Sequence, residues 1–285
     1  KLPFNTRSKI IRENINNKLK EKKKYSNFKL MAYQNYGKTL SDLFLINYTE
    51  KLWGTNSENL ITEISGNRLK GLSMKNLLKE LIIKQKVEKH LDGSFYYPKY
   101  GFGSIFKAIQ NKIDNNSICL ESSITSIYHS DNIIKAIKIN NCELREVKGQ
   151  IISTLPINSF INILSPNVPE NIKTIANSIK YRGLLLTIIQ LDKHKFSENA
   201  SIYFPQKDIP FNRIYEPKSR SPKLAPPHQT CIVVETTLKQ EDITKVDVDK
   251  FLNKIKKSLI NLSLINENEI LKSKIVKINN AYPIM

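Results

Sequence analysis

Ile209-Pro210-Phe211-Asn212-Arg213-Ile214-Tyr215-Glu216-Pro217-Lys218-Ser219-Arg220-Ser221-Pro222 is the stretch around which the rest of the sequence is organised. Proline-punctuated turns bracket a short extended run from Asn212 to Glu216, in which apolar Ile214 alternates with Arg213 and Tyr215. That period of two puts Arg213 and Tyr215 on one face of a strand and Ile214 on the other. A guanidinium and a phenol side by side, both donors on rigid planar groups, suit a pocket for an anionic or oxygen-rich ligand. The plainer reading is an exposed edge strand with ordinary polar residues. Its company along the chain has to decide.

Outward from this stretch, the flanking sequence is rich in strands. Leu184 to Leu191 is apolar on both faces and predicts a central strand. Shorter strands are expected at Ser201 to Pro205, Gln229 to Thr237 and Ile270 to Ile278. Val248, Phe251, Leu252, Ile255, Leu259 and Leu262 recur at helical spacing and predict a long helix. Pro169 opens another helix over residues 169–179. Further upstream, Ser117 to Leu120, Ile124 to Tyr128, Ile133 to Ile139 and Gln150 to Leu155 read as a β-meander with turns at Asp131-Asn132 and Asn140-Asn141. The first 90 or so residues read as helical: an amphipathic helix over residues 8–24, a continuation through Leu40, Leu43 and Phe44, and a helix capped by Ser73. The fold class is α+β (mixed α/β), with a meander-containing domain and a second domain of mixed or antiparallel sheet and helices.

Composition narrows the function. The 285 residues are 40% hydrophobic and 25% charged, which fits a folded globular chain. No apolar run approaches the roughly 20 residues that cross a bilayer, and the opening Lys1-Leu2-Pro3 carries no signal peptide. The start without Met and the end Ala281-Tyr282-Pro283-Ile284-Met285 give the expectation of an internal fragment in a cytoplasmic protein, or one peripheral to a membrane. The formal charge of +19 invites a basic, non-catalytic binding module. However, the basic residues are mostly Lys, spread over the whole length, and no nucleic-acid module accompanies them, so nucleic acid is disfavoured as the partner. Cys119, Cys142 and Cys231 are odd in number and far apart, which points to buried structural thiols in a reducing compartment. They form no metal cluster with His90, His129, His194 and His228, each read as a surface histidine.

Among local motifs, Gly101-x-Gly103 lacks the third glycine of a dinucleotide fingerprint, since Phe106 stands there. It reads better as a tight turn through which backbone approaches a ligand. Trp53, the only tryptophan, reads as a core anchor or as a flat wall against a planar ligand. No Ser-His-Asp set, Cys-His set or paired-carboxylate motif can be assembled, and no catalytic residue is named.

Eight stretches, taken in order, are similar to the flavin-dependent amine oxidase and protoporphyrinogen oxidase-like superfamily, with UDP-galactopyranose mutase among its relatives. They are Tyr48-Thr49-Glu50-Lys51-Leu52-Trp53-Gly54, Arg68-Leu69-Lys70-Gly71-Leu72-Ser73, Tyr97-Pro98-Lys99-Tyr100-Gly101-Phe102-Gly103, Ile152-Ser153-Thr154-Leu155-Pro156, Tyr181-Arg182, Asn212-Arg213-Ile214-Tyr215-Glu216-Pro217-Lys218, Ser221-Pro222 and Ala281-Tyr282-Pro283. The resemblance implies a discontinuous FAD/NAD(P)-binding domain and a substrate domain. It implies that residues 1–93 form the helical part of the substrate domain and 94–157 the middle of the FAD domain. Residues 158–280 would form the substrate-domain sheet, and 281–285 the return to the FAD domain. Gly101, Gly103, Ile124, Thr154, Leu155 and Pro156 would lie along the FAD. Trp53, Arg182, Arg213, Tyr215 and Tyr282 would face a small-molecule substrate such as a nucleotide-sugar. The N-terminal Gly-rich fingerprint is absent. The implied activity is that of an FAD-dependent oxidoreductase taking hydride from its substrate, inactive as this fragment alone, and the alternative is a mutase-like isomerase.

Overall fold

The computed structural model describes residues 2–18, 25–65 and 95–284. The expected helix after Ser73, and His90, lie outside them. Chain contacts divide the fold into two units, Lys1–Gly101 with Arg182–Ala281, and Phe102–Tyr181 with Tyr282–Ile284.

The first unit begins with helices. α1 (Phe4–Lys18), α2 (Phe28–Tyr36) and α3 (Lys38–Leu40) meet through buried Ile10, Tyr36 and Leu40. Asn14 ties α1 to the end of α2, its buried amide donating to the Tyr36 carbonyl at 3.0 Å. α3 runs into a π-helical stretch, Ser41–Ile46, and then into α4 (Asn47–Trp53). The wider π turn rotates the apolar face relative to α-helical spacing. Leu40 and Ile46 are buried, whereas Leu43 and Phe44 point outward, contrary to their reading as one helical face.

The remainder of this unit is a five-stranded sheet of β5 (Tyr181–Leu191), β6 (Ser201–Tyr203), β7 (Arg213–Tyr215), β8 (Thr230–Lys239) and β9 (Ile270–Pro283), in the order β6-β7-β8-β5-β9. The β6–β7, β7–β8 and β8–β5 pairs are antiparallel. One face carries Ile189, Leu191, Ile214, Ile232 and Val234 against Ile255 and Leu259 of α5 (Val248–Asn261), the helix its spacing predicts. Asp247 caps α5, accepting from the Lys250 N–H at 3.1 Å. A short helix, Gln240–Ile243, precedes it and brings Ile243 over Gly183 of β5, where a Cβ would overlap the isoleucine. That close approach requires glycine.

The second unit holds a meander, β1 (Ile124–Ser130), β2 (Ile133–Ile139) and β3 (Glu143–Glu146), with β4 (Leu164–Ser165) parallel to β1. Helices Gly103–Gln110, Ile157–Asn162 and Glu170–Ser178 complete it. Three expectations are corrected here. Ser117 to Leu120 is not a strand, and β3 supplies the third member of the meander instead. Gln150 to Leu155 joins neither sheet among the described residues, and Ile152 is 91% exposed; without a neighbour to exchange ladder bonds, extended backbone is not a strand. Chain contacts keep residues 157–181 in this unit, where β4 pairs with β1. Cys119 and Cys142 are exposed thiols, not buried ones, since the loops that carry them pack against little.

Candidate functional site

The sheet face opposite the hydrophobic core carries the site. β7 is flanked on both sides and is no edge strand. Ile214 is fully buried in the core, and Arg213 and Tyr215 turn to the other face, the side the two-residue period assigns them. Register sets Tyr203 and Glu235 opposite Arg213 on the neighbouring strands. The Glu235 carboxylate takes a two-pronged bond from the guanidinium, with Nε to Oε2 at 2.9 Å and Nη2 to Oε1 at 2.6 Å. The guanidinium carbon lies 5.9 Å from the Tyr203 ring centre and 5.3 Å from that of Tyr215, a cation between two π faces. Burial works against the Arg213 charge, yet the Glu235 bonds and the Tyr203 phenol hold its pKa above the ordinary arginine value. Burial first, and the Glu235 charge second, push the Tyr215 phenol up. Beyond them a shallow groove of about 380 Å³ runs past Ile188, Gln190, Leu224, Pro226, Cys231 and Lys274.

The 48–54 stretch closes one side of this face, and most of its residues have a physical task. Tyr48 meets Tyr203 edge-to-face at 5.3 Å. Glu50 accepts from the Ser57 N–H and hydroxyl at 3.2 and 3.0 Å; burial opposes its charge, but these bonds hold its pKa below the usual carboxylate value. Lys51 donates to three carbonyls, Phe204 (3.0 Å), Gln206 (2.9 Å) and Phe211 (2.6 Å), and so fixes the connection between β6 and β7. Trp53 is 8% exposed, a packed side chain of α4. Gly54 ends α4 in the left-handed conformation at φ 66°.

Arg182 belongs to the same cluster, but its guanidinium is turned to the backbone. Nε donates to the Leu52 carbonyl at 3.1 Å, and Nη2 reaches the Lys51 carbonyl and the Thr237 hydroxyl at 3.5 and 3.4 Å. Thr237 N–H in turn donates to Asn212 Oδ1 at 3.0 Å, and the buried Asn212 Nδ2 has no partner among the described residues. The first unit thus brings together Trp53, Arg182, Arg213 and Tyr215, and also holds Gly101. Gly103, Ile124, Thr154, Leu155, Pro156 and Tyr282 belong to the second. Sequence reasoning missed Glu235 and Tyr203. A lone carboxylate inside the run Ile232-Val233-Val234-Glu235-Thr236 was the available signal, because a buried charge needs a partner.

Gly101 has φ 91°, forbidden to most side chains, and Gly103 has nothing within 4 Å of where a Cβ would stand. Ile124 opens β1, half-buried, and Thr154, Leu155 and Pro156 follow the unladdered 150–153 backbone. Within the second unit, Gly103, Ile124, Thr154, Leu155 and Pro156 offer the open backbone and apolar surface that part of a flavin site uses. No strand–Gly-rich turn–helix cradle for a pyrophosphate occurs among the described residues. No helix among them is long and apolar enough to cross a membrane, and none of their His, Cys, Asp and Glu groups forms a metal cluster.

Comparison with known proteins defines the class. A crystal structure of reduced UDP-galactopyranose mutase superposes with a TM-score of 0.83 at 18% identity, covering 99% of this chain and 61% of that one. A protein of Exiguobacterium sp. 255-15, provisionally assigned as a protoporphyrinogen oxidase, gives 0.66 at 11% identity over 100% of this chain and 62% of its own. An oxidoreductase from Methanosarcina mazei gives 0.62 at 14% identity over 97% and 61%. The fold is therefore the one shared by this mutase and these oxidoreductase-type proteins, and the chain spans about 61% of the mutase's length. The UDP-galactopyranose mutase family model matches residues 43–248, and the chain belongs to that family. No curated protein sequence matches it.

Proposed function

We propose that this chain supplies the substrate-binding sheet and the middle of the cofactor domain of a cytoplasmic or membrane-peripheral FAD-dependent enzyme, an isomerase acting on a nucleotide-sugar in the manner of a UDP-galactopyranose mutase. The observation that carries the reading is Arg213, held by Glu235 beside the rings of Tyr203 and Tyr215 on the sheet face away from the core. A fixed, charged donor plane suits diphosphate oxygens, and the flanking phenols suit a hydroxyl-rich body. The family match over residues 43–248 supports the same ligand class. Gly101, Gly103, Ile124, Thr154, Leu155 and Pro156 would line the flavin, and Trp53, Arg182, Arg213, Tyr215 and Tyr282 the substrate side. Within that set Arg182 orients its neighbours through the carbonyls of α4, while Arg213 makes the direct contact. The flavin, when bound, supplies the reactive centre, and the protein binds, orients and excludes water. Hydride transfer from a small molecule is the second reading, favoured by the fold shared with the Methanosarcina oxidoreductase.

The test uses the full-length protein. Flavin released on denaturation is measured per chain, and UDP is titrated into wild type and Arg213→Ala. Stoichiometric FAD, UDP binding by wild type, and a loss of about tenfold or more in the variant are expected for removal of a half-buried charged contact. A flavin-loaded protein that ignores UDP returns the oxidoreductase reading. Equal UDP affinity in both proteins removes Arg213 from the site, and a protein without flavin sinks both readings.

A further inference from the structure

We infer that Glu235 is the positioning residue of this site, fixing which edge of the Arg213 guanidinium is offered to a ligand. The inference deepens the proposed function and rests on it for the identity of the ligand. The register of β7 on β8 places the two residues directly opposite each other, and the carboxylate consumes the Nε and Nη2 protons that face it. A guanidinium has five N–H donors in a fixed fork, so the carboxylate leaves three of them, one on Nη2 and two on Nη1, for the Tyr203 phenol and a ligand. The rings of Tyr203 and Tyr215 lie beside the guanidinium, with their centres 5.9 and 5.3 Å from its carbon. The two side chains also differ in depth: 11% of Glu235 is exposed against 31% of Arg213, so an incoming anion meets the cation first.

A simpler role for Glu235 is charge compensation, and the two roles predict opposite signs. If Glu235 only balanced charge, Glu235→Gln would leave Arg213 uncompensated and anion binding would tighten. If Glu235 positions Arg213, the carboxamide offers one acceptor oxygen and turns an NH2 against a guanidinium donor, so the fork breaks and binding weakens. Glu235→Asp separates them again, because it keeps the charge but withdraws it by a methylene. Compensation predicts wild-type affinity for this variant, and positioning predicts a loss.

The experiment titrates UDP into flavin-loaded full-length wild type, Glu235→Gln, Glu235→Asp and Arg213→Ala. Alongside it, ligand-free proteins labelled with 15N-arginine report rotation of the guanidinium, with the Arg213 signal assigned by Arg213→Lys. Both Glu235 variants are expected to bind UDP about tenfold to a hundredfold more weakly, as misplacement of a binding group does, with flavin content unchanged. Rotation of the Arg213 guanidinium, slow in wild type, becomes fast in both. Unchanged or tighter UDP binding, or unchanged rotation, overturns the inference. If Arg213→Ala leaves UDP binding intact, the functional reading fails by itself, and the rotation measurement still decides whether Glu235 holds the guanidinium. If Glu235→Gln does not fold, Glu235→Asp carries both readouts.

Discussion

Gly54→Ala is the most searching test of the cluster that frames the sheet face. The substitution has two separable consequences. Gly54 sits at φ 66°, and an alanine held in the left-handed region costs about 1–2 kcal/mol. Its new Cβ would also overlap the Arg182 guanidinium, whose bonds to the Leu52 and Lys51 carbonyls close the end of α4. Arg182 is only 6% exposed and has little room to retreat, so at least one charged hydrogen bond is lost, worth about 1.5–3 kcal/mol. The sum is about 2.5–5 kcal/mol, read from urea unfolding at constant m-value. Gly54→Asn keeps the clash while tolerating the backbone, and Arg182→Met in the Gly54→Ala background removes the clash while keeping the strain. The double variant should lose only the strain portion relative to Arg182→Met alone. A Gly54→Ala cost below about 0.5 kcal/mol, the level of an ordinary surface change, or a cost unaltered by Arg182→Met, would refute the account of Arg182 as the clamp on α4.

Two further outcomes follow from the same unit. Gly183→Ala places a methyl against Ile243 and should destabilise by about 1–3 kcal/mol through overpacking, part of which Ile243→Val restores; equal stability by urea unfolding would mean the helix shifts freely over the sheet. For Lys51, burial pushes the ammonium from the ordinary 10.5 down to about 8, with Asp208 opposing. The unfolded chain then holds the extra proton between those values, so this group's contribution is full above about 10.5 and is lost as pH falls through about 8. The stability difference between wild type and Lys51→Met should therefore rise from pH 8 to pH 10.5. A falling difference would mean that the three carbonyl bonds outweigh burial.

What the sequence revealed was local. The two-residue period of Asn212 to Glu216, the doubly apolar run before Leu191 and the helical spacing from Val248 to Leu259 each name their own element, because the cause lies within a few residues. What it concealed was register. Arg213 and Glu235 are far apart in sequence, and only the β7–β8 alignment makes them a pair, so the lone carboxylate signalled a partner without naming it. The same holds for residues 157–181: the helix that Pro169 opens was legible and the one over Ile157–Asn162 was not, and the place of both follows from the pairing of Leu164 and Ser165 with β1. A π turn hides in ordinary helical spacing, which is why Leu43 and Phe44 were read on the wrong face.

Register and burial together also decide how much of the formal +19 charge is available to a ligand. A cation attracts a distant anion only if its own donors are free. Lys51 is saturated by three carbonyls, and Lys218 lies within 3.0 Å of four, those of His194, Pro226, Pro227 and Gln229. Arg182 caps α4. These three, all in the stretches that mark the family resemblance, hold backbone in place instead of addressing the solvent. Arg213 differs in kind: its partners are side chains, the Glu235 carboxylate taking the Nε and one Nη2 proton. A chain acting through bulk charge would need the reverse arrangement, with many free ammonium groups and no fixed plane. Among the cations of this face, then, one is oriented toward a ligand and three hold backbone, which makes affinity here a question of Arg213 geometry.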